Sequence, residues 1–175
     1  MKNWVYLIVA VAGAILLAVL ATTTPWPAPA DSPATEFSAT RAMVDVREVA
    51  RAPHPTGTPE NARVRAYLTA RLQSLGMTVT SSGAPISAEA KARLDKWRGS
   101  EAPAPDAVNL VATLAGRDPA KPAVLLMAHH DSVWGSPGAA DDTAGVAAIL
   151  ETVRAIRASG QPPERTLIAL FTDAE

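Results

Sequence analysis

The 175-residue sequence contains no cysteine. This absence excludes disulfide bonds, thiolate metal ligands and a cysteine nucleophile, although it does not identify the cellular compartment. The sequence also lacks an excess of charge of either sign, because 16 Lys and Arg residues nearly balance 17 Asp and Glu residues. The net charge of -1 therefore indicates neither a nucleic-acid partner nor an electrostatic membrane patch. The length is sufficient for one domain with a sizeable core.

Charged residues are absent from a long apolar run near the N-terminus, WVYLIVAVAGAILLAVLA at residues 4–21. At about 1.5 Å per residue, a helix of this length nearly spans a hydrocarbon core of about 30 Å. Secretory signals have an apolar region of only about 7–15 residues, which favours an uncleaved anchor. The tripeptide at 28–30, Ala-Pro-Ala, leaves a cleaved signal, and a secreted or periplasmic protein, as the alternative. Lys2 predicts a cytoplasmic N-terminus and a non-cytoplasmic location for everything after the span.

We predict three regions: an anchor or signal at 1–22, a proline-rich linker at 23–37 and a folded domain at 38–175. Hydrophobic periodicity and turn residues predict an α/β fold, a central mixed β-sheet flanked by helices on both sides. The predicted helices are 38–50, 58–75, 87–98 and 143–159, and the predicted strands are 77–80, 106–116, 122–130 and 165–171. Strand 122–130 is apolar almost without alternation, which is typical of a strand covered on both faces.

Histidine is scarce, yet two of the three histidines are adjacent and lie beside carboxylates. Polar clusters occur where two predicted strands end and where one helix begins: His129, His130 and Asp131; Asp141 and Asp142; Asp173 and Glu175. In open α/β sheets, ligands bind at the carboxyl ends of the strands. The three clusters are therefore predicted to lie on one rim of the sheet, which is stronger evidence for a site than any cluster alone.

The residue types on this rim are suited to zinc, which takes imidazole nitrogen and carboxylate oxygen as ligands. Strand alternation puts His129 and Asp131 on one side, so Asp131 would orient the imidazole. Asp141 would supply a carboxylate able to bridge two ions, and Glu175 would accept a proton from the attacking water.

Each cluster also has a structural explanation. Asp141 or Asp142 would serve as the N-cap of the following helix. His130 is expected to point away from His129 as a packing or pocket residue, and His54 lies in a proline-rich turn where capping or packing is expected. A Ser-His-Asp triad with Ser132 or Ser136 as nucleophile is compatible with the composition, but no G-x-S-x-G elbow follows any predicted strand.

The order of these polar clusters and of the strands and helix beside them resembles the sequence pattern of family 28 of the metallopeptidases. This family comprises di-zinc aminopeptidases and carboxypeptidases. The segments that carry the resemblance are LLMAHHDSVWGSPGAADDTAGVAAILE and RTLIALFTDAE. The family pattern is a strand ending in H-x-D, then P-G-A-x-D-[DN]-x-x-G-V-A opening a helix, then a strand ending in a Glu-Glu pair. The resemblance extends over about residues 38–175. The segment RAPHPTGTPENARVRAYLTARLQSLGM, with the apolar N-terminal run, is most similar to the membrane-anchored branch typified by the endoplasmic-reticulum metallopeptidase.

This resemblance implies a zinc exopeptidase fold and two Zn²⁺ ions per complete site. By position, it makes His129 a ligand of the first zinc, Asp131 its orienting carboxylate and Asp141 the bridging ligand. Glu175 corresponds to the general base. The implied activity is hydrolysis of a terminal bond of a peptide or protein substrate, of the aminopeptidase type, by an enzyme attached to the membrane through its N-terminal helix.

The sequence departs from the family pattern at its end. It stops at Glu175, before the second Glu of the pair and before the later Asp and His ligands of the family. We therefore expect an N-terminal fragment of a longer protein that retains about half of the site and is inactive alone. Two alternatives share the scaffold: a glutaminyl-cyclase-like zinc enzyme, and a non-enzymatic binding module such as the transferrin-receptor ectodomain.

Overall fold

The helices of the domain begin at residues whose side chains satisfy free backbone N–H groups. The computed structural model describes residues 2–24 and 26–175; Met1 and Pro25, parts of the predicted anchor and linker, lie outside the described residues. In the described part the helices are α1 (Lys2–Thr22), α2 (Ala39–Val49), α3 (Pro59–Ser74), α4 (Ala88–Arg98) and α5 (Thr143–Ala158). Their N-caps, from α2 to α5, are Ser38, Thr58, Ser87 and Asp142.

Four strands form one mixed sheet. They are β1 (Thr78–Pro85), β2 (Asp106–Leu114), β3 (Val124–His129) and β4 (Leu167–Thr172), in the order β1-β2-β4-β3. The β1–β2 and β2–β4 pairs are antiparallel, whereas β3 and β4 are parallel and are connected through α5. The predicted fold class, a mixed sheet with flanking helices, is confirmed. Strand β1 is longer than predicted because it continues to pair with β2 as far as Pro85.

The hydrophobic core is formed by alternate residues of β2 and β4 and by the apolar stripes of α3 and α5. Its fully buried members include Val64, Leu68, Leu72, Ala112, Val146, Leu150, Val153 and Phe171. Full burial of one such aliphatic or aromatic side chain contributes about 1.5–3 kcal/mol. These buried stripes of α3 and α5 fix the position of the sheet beneath the helices.

Strand β3 differs from its prediction. It is an edge strand of the sheet in the described residues, and Leu125 and Met127 are 57% and 65% exposed. Leu126 and Ala128, which alternate with them, pack into the core. The prediction that both faces of this strand are covered is therefore wrong for this part of the chain, because helix packing covers one face only.

The second half of the predicted linker is bound to the domain. Glu151 is buried on α5, and its carboxylate accepts hydrogen bonds from the guanidinium groups of Arg41 and Arg154 and, at 2.9 Å, from the backbone N–H of Ser38. These three charged residues, Arg41, Glu151 and Arg154, form the Glu151 cluster. Its arginines also donate to linker carbonyl groups, those of Ala30, Ser32, Pro33, Ala34 and Glu36.

Helix α1 is long and apolar enough to cross a membrane. The segment Trp4–Thr22 has a mean hydropathy of 2.6, and none of it is buried against the rest of the protein. A helix that packs into a soluble core would be largely buried. A cleavable signal sequence meets the same criteria of length and composition, so these criteria alone do not separate it from an anchor.

Candidate metal centre

The sheet topology brings the predicted site residues to one edge. His129, the last residue of β3, pairs in register with Thr172, the last residue of β4. Because these neighbouring strands are parallel, the segments that follow them, with Asp131 and Glu175, leave the sheet side by side. The chain after Asp131 then returns to the N-terminus of α5, where Asp141 lies.

The imidazole of His129 lies between two carboxylates. Its Nε2 is 3.0 Å from Oδ1 of Asp141, and its Nδ1 is 3.4 Å from Oδ1 of Asp131 and 3.2 Å from the Asp131 carbonyl oxygen. Asp131 is largely buried, whereas the side chain of Asp141 is 94% exposed. Burial by itself lowers the pKa of His129, but the carboxylates of Asp141 and Asp131 outweigh it, so the pKa lies above its ordinary value.

Asp131 joins the two strand ends. Burial raises the pKa of Asp131, and the negative charge of Asp173 raises it further. The backbone N–H of Glu175 donates to Oδ1 of Asp131 over 3.4 Å, which ties the segment after β4 to the segment after β3. Asp131 therefore contacts His129 on one side and the Glu175 backbone on the other.

The four predicted site residues line one cleft of about 370 Å³. The cleft residues are Trp97, His129, Asp131, Ser132, Val133, Ser136, Gly138, Asp141 and Glu175. His129 and Asp141 present an imidazole nitrogen and a carboxylate oxygen to each other, and both atom types suit zinc. Catalytic zinc sites use three protein ligands, and no group of three His, Asp or Glu residues able to hold a metal ion occurs in the described part of the chain. The imidazole nitrogen and the carboxylate oxygen therefore fit zinc, but two ligands are fewer than the three that a catalytic zinc site uses.

The adjacent aspartates have different environments. Asp142 is the N-cap of α5: its Oδ1 accepts from the backbone N–H of Gly145 at 3.1 Å, and its Oδ2 accepts from the N–H of His129 at 3.3 Å. The peptide bond between Asp141 and Asp142 is cis. The capping role that the sequence left open between these residues therefore falls to Asp142, and Asp141 faces the cleft.

The alternative serine triad is not supported by the geometry. The hydroxyl of Ser132 accepts from the backbone N–H of His54 at 2.9 Å and contacts the carbonyl of Val133, with no imidazole as a partner in the described residues. Ser136 Oγ accepts from the N–H of Gly138. Both serines stabilise loop backbone.

The other two histidines are buried packing residues, as expected. His130 Nε2 is 3.0 Å from the carbonyl oxygen of Val108, and His54 Nδ1 is 2.9 Å from that of Ala52. Burial is the main cause of the lowered pKa of His54.

Asp173, which follows the last residue of β4, is buried although it lies at a strand end. Its side chain is buried and accepts from Thr56 Oγ1 at 2.8 Å, from Asn61 Nδ2 at 3.3 Å and from the N–H of Val108 at 3.0 Å. These bonds hold the segment before Glu175 against α3 and β2. No local sequence pattern indicates them, because the donors lie 65 to 117 positions away.

The fold is that of zinc-dependent exopeptidases and their structural relatives. A Zn-dependent exopeptidase from Parabacteroides distasonis superposes with a TM-score of 0.61 at 25% identity, covering 82% of this chain and 49% of that one. A glutaminyl cyclase from Tannerella forsythia has a TM-score of 0.59 at 28% identity, covering 79% of this chain and 47% of that one. Residues 109–175 match the model of peptidase family M28, so this segment is similar to that family.

Curated relatives are proteases and metallopeptidases by name. The vacuolar membrane protease of Candida dubliniensis is 31% identical over 137 residues, which are 75% of this chain and 14% of the relative. Endoplasmic reticulum metallopeptidase 1 of Rattus norvegicus is 45% identical over 67 residues, 38% of this chain and 8% of the relative. The chain thus spans a small part of these relatives and about half of the solved structures, and the resemblance to the membrane-anchored branch is confirmed.

Proposed function

We propose that this chain belongs to a membrane-anchored zinc exopeptidase of the aminopeptidase type, which hydrolyses a terminal bond of a peptide or protein substrate. The observation that carries the proposal is the meeting of His129 Nε2 and Asp141 Oδ1, 3.0 Å apart, in a cleft that Glu175 also lines. The match of residues 109–175 to the model of peptidase family M28 supports the same class of reaction.

In this proposal the ligands on the chain are His129, through Nε2, and Asp141, through its exposed carboxylate. Asp131 accepts the Nδ1 proton of His129 through its backbone carbonyl oxygen at 3.2 Å, with its carboxylate Oδ1 at 3.4 Å. This contact fixes the tautomer and directs Nε2 into the cleft. In a complete site with two Zn²⁺ ions, the carboxylate of Asp141 would serve as a ligand to both. The remaining ligands come from other residues of the protein, because two ligands fall short of the three that catalytic zinc sites use.

Zinc bound here would supply a Lewis acid for the scissile carbonyl and for the attacking water. Glu175 accepts the proton of that water and transfers it to the leaving amine. Its exposed side chain can turn toward the cleft, while its backbone N–H is held by Asp131. The hydrogen bonds to Asp173 hold the chain just before Glu175 against α3 and β2.

Two substitutions in the full-length protein test the division of roles. Asp141→Asn removes a charged ligand shared by both ions, so bound zinc falls well below two per chain. Glu175→Gln leaves zinc bound, since the residue is not a ligand, and lowers kcat about a hundred- to ten-thousand-fold. Metal content and peptide hydrolysis are measured on the same preparations.

Asp31→Asn is the matched control, because Asp31 is exposed in the linker and lies outside the cleft residues. We expect it to retain both zinc and turnover. If Glu175→Gln lost zinc while its activity per bound zinc stayed normal, Glu175 would be a ligand and its assignment as the base would be wrong.

A glutaminyl-cyclase-like reaction is the second candidate, and the likeness to solved glutaminyl cyclases at up to 28% identity favours it. The products distinguish the two. An aminopeptidase releases the terminal residue from a peptide with N-terminal glutamine, whereas a cyclase releases ammonia and leaves the chain length unchanged. Mass spectrometry of the product decides between them.

A further inference from the structure

Helix α4 carries a tryptophan to the candidate metal centre. The helix lies in the connection between β1 and β2, and Leu94 is its buried residue in the structure. Trp97, near its end, lines the same cleft as His129 and Asp141, yet 47% of its surface is exposed. Packing among the described residues therefore does not account for this large apolar side chain.

Trp97 and Val133 together form an apolar wall. Both residues line the cleft of the candidate metal centre, and both line an adjoining cavity of about 280 Å³ that is completed by Trp134 and Gly135. None of these four residues is charged. The adjoining cavity thus extends the cleft into an apolar compartment, and ligand pockets commonly combine such a compartment with a few polar groups.

A contact at the end of α4 holds this wall together. The guanidinium group of Arg98 lies 5.0 Å from the centre of the Trp134 ring, and it also lies 3.4 Å from the carboxylate of Asp95 on its own helix. The loop after β3 and the end of α4 are therefore joined beside the cleft. The positive charge of Arg98 is partly offset by Asp95, so it does not make the compartment a site for acidic side chains.

We propose that Trp97 and Val133 form the subsite for a large apolar side chain of the terminal substrate residue; this inference rests on the proposed function. The scissile bond of a terminal residue must reach the His129, Asp141 and Glu175 end of the cleft. The side chain of that residue, a few bonds away, then meets the adjoining wall. A charged side chain placed against this apolar wall would lose its hydration without gaining an ion-pair or hydrogen-bond partner, which is unfavourable.

The test compares leucyl- and alanyl-4-nitroanilide hydrolysis by the full-length, zinc-loaded protein. Trp97→Ala lowers the ratio of kcat/KM for the leucyl over the alanyl substrate about tenfold, since apolar subsites discriminate at this level. Trp97→Phe retains most of the preference because it keeps an aromatic wall. Lys96→Ala, an exposed position on the same helix outside the cleft, leaves the ratio unchanged.

Val133→Thr provides a second, nearly isosteric variant that makes the wall polar, and it also lowers the leucyl preference. Calorimetric titration with free leucine and free alanine tests the subsite without turnover, and the ratio of their dissociation constants changes in the same direction. An unchanged ratio in both Trp97→Ala and Val133→Thr overturns the subsite while leaving the peptidase proposal intact. A zinc-loaded wild-type protein that cleaves neither substrate and releases no terminal residue from peptides overturns both.

Discussion

At the residue scale, Gly145 leaves the space that the Asp142 carboxylate needs to cap helix α5, while the adjacent Asp141 faces the cleft. A Cβ atom added at Gly145 would lie 2.3 Å from Oδ1 of Asp142. The carboxylate of Asp142 approaches the backbone N–H of Gly145 closely only because no side chain occupies that space. The cap in turn holds the N–H of His129, so the glycine contributes to the position of a candidate ligand.

We therefore predict that Gly145→Ala destabilises the full-length protein by about 1 kcal/mol or more, the typical loss for an N-cap. Gly83→Ala is the control, because its Cβ would meet Val108 at 3.5 Å, an ordinary contact distance. Thermal unfolding of the two variants measures the difference. Equal stability of Gly145→Ala and Gly83→Ala would show that the Asp142 cap is dispensable.

At the element scale, the Glu151 cluster joins α2, α5 and the linker through one buried carboxylate. Burial by itself raises the pKa of Glu151, but hydrogen bonds from Arg154, Ser38 and Arg41 outweigh it, so the pKa lies below its ordinary value. A group with a lowered pKa in the folded state stabilises the fold above its unfolded pKa. This stabilisation is lost as the pH falls through the folded pKa.

Accordingly, we expect Glu151→Gln to lower the free energy of unfolding by about 3 kcal/mol at pH 7, because two arginines lose a buried partner. The difference between wild type and variant shrinks as the pH is lowered below the ordinary glutamate range. Glu164→Gln is the control, since its ion pair with Lys121 is on the surface and contributes about 0–1 kcal/mol. Denaturant titrations at several pH values measure both effects. A pH-independent loss would contradict the assignment of the charge.

At the scale of the whole molecule, the bound linker limits the distance between the anchor and the domain. Ser38 donates to the carbonyl groups of Ala28 and Pro29, and five residues, 23–27, separate that contact from the end of α1. At roughly 3.5 Å per extended residue, these five residues reach at most about 18 Å. If α1 spans the membrane, the domain stays close to the membrane surface.

We predict that α1 is retained as an anchor and that the mature protein stays with the membrane fraction after a carbonate wash. Cleavage after Ala30 would separate from the domain three carbonyl groups that Ser38 and Arg41 bind. A variant lacking residues 2–22 is the control and is expected in the soluble fraction. N-terminal sequencing that finds a soluble mature form beginning at Asp31 would decide for a cleaved signal.

The sequence alone determined the features that depend on neighbouring residues. Thr58 with Pro59 predicts the start of α3, and the apolar stripes of α3 and α5 predict their buried faces, because capping and helical periodicity act within a few positions. The polar clusters that contain Asp131, Asp141 and Glu175 predicted one rim, because strand ends in such sheets lie together.

Only the tertiary structure decided the features that depend on distant contacts. Asp173 is buried because Thr56, 117 positions away, donates to it, and the linker is bound because Arg154 reaches Ala34 across 120 positions. One face of β3 is exposed because helix packing covers only the other face, and the role proposed for Trp97 follows from where α4 comes to lie. Local propensity carries no information about such pairs, because their free energy arises only when the chain brings the partners into contact.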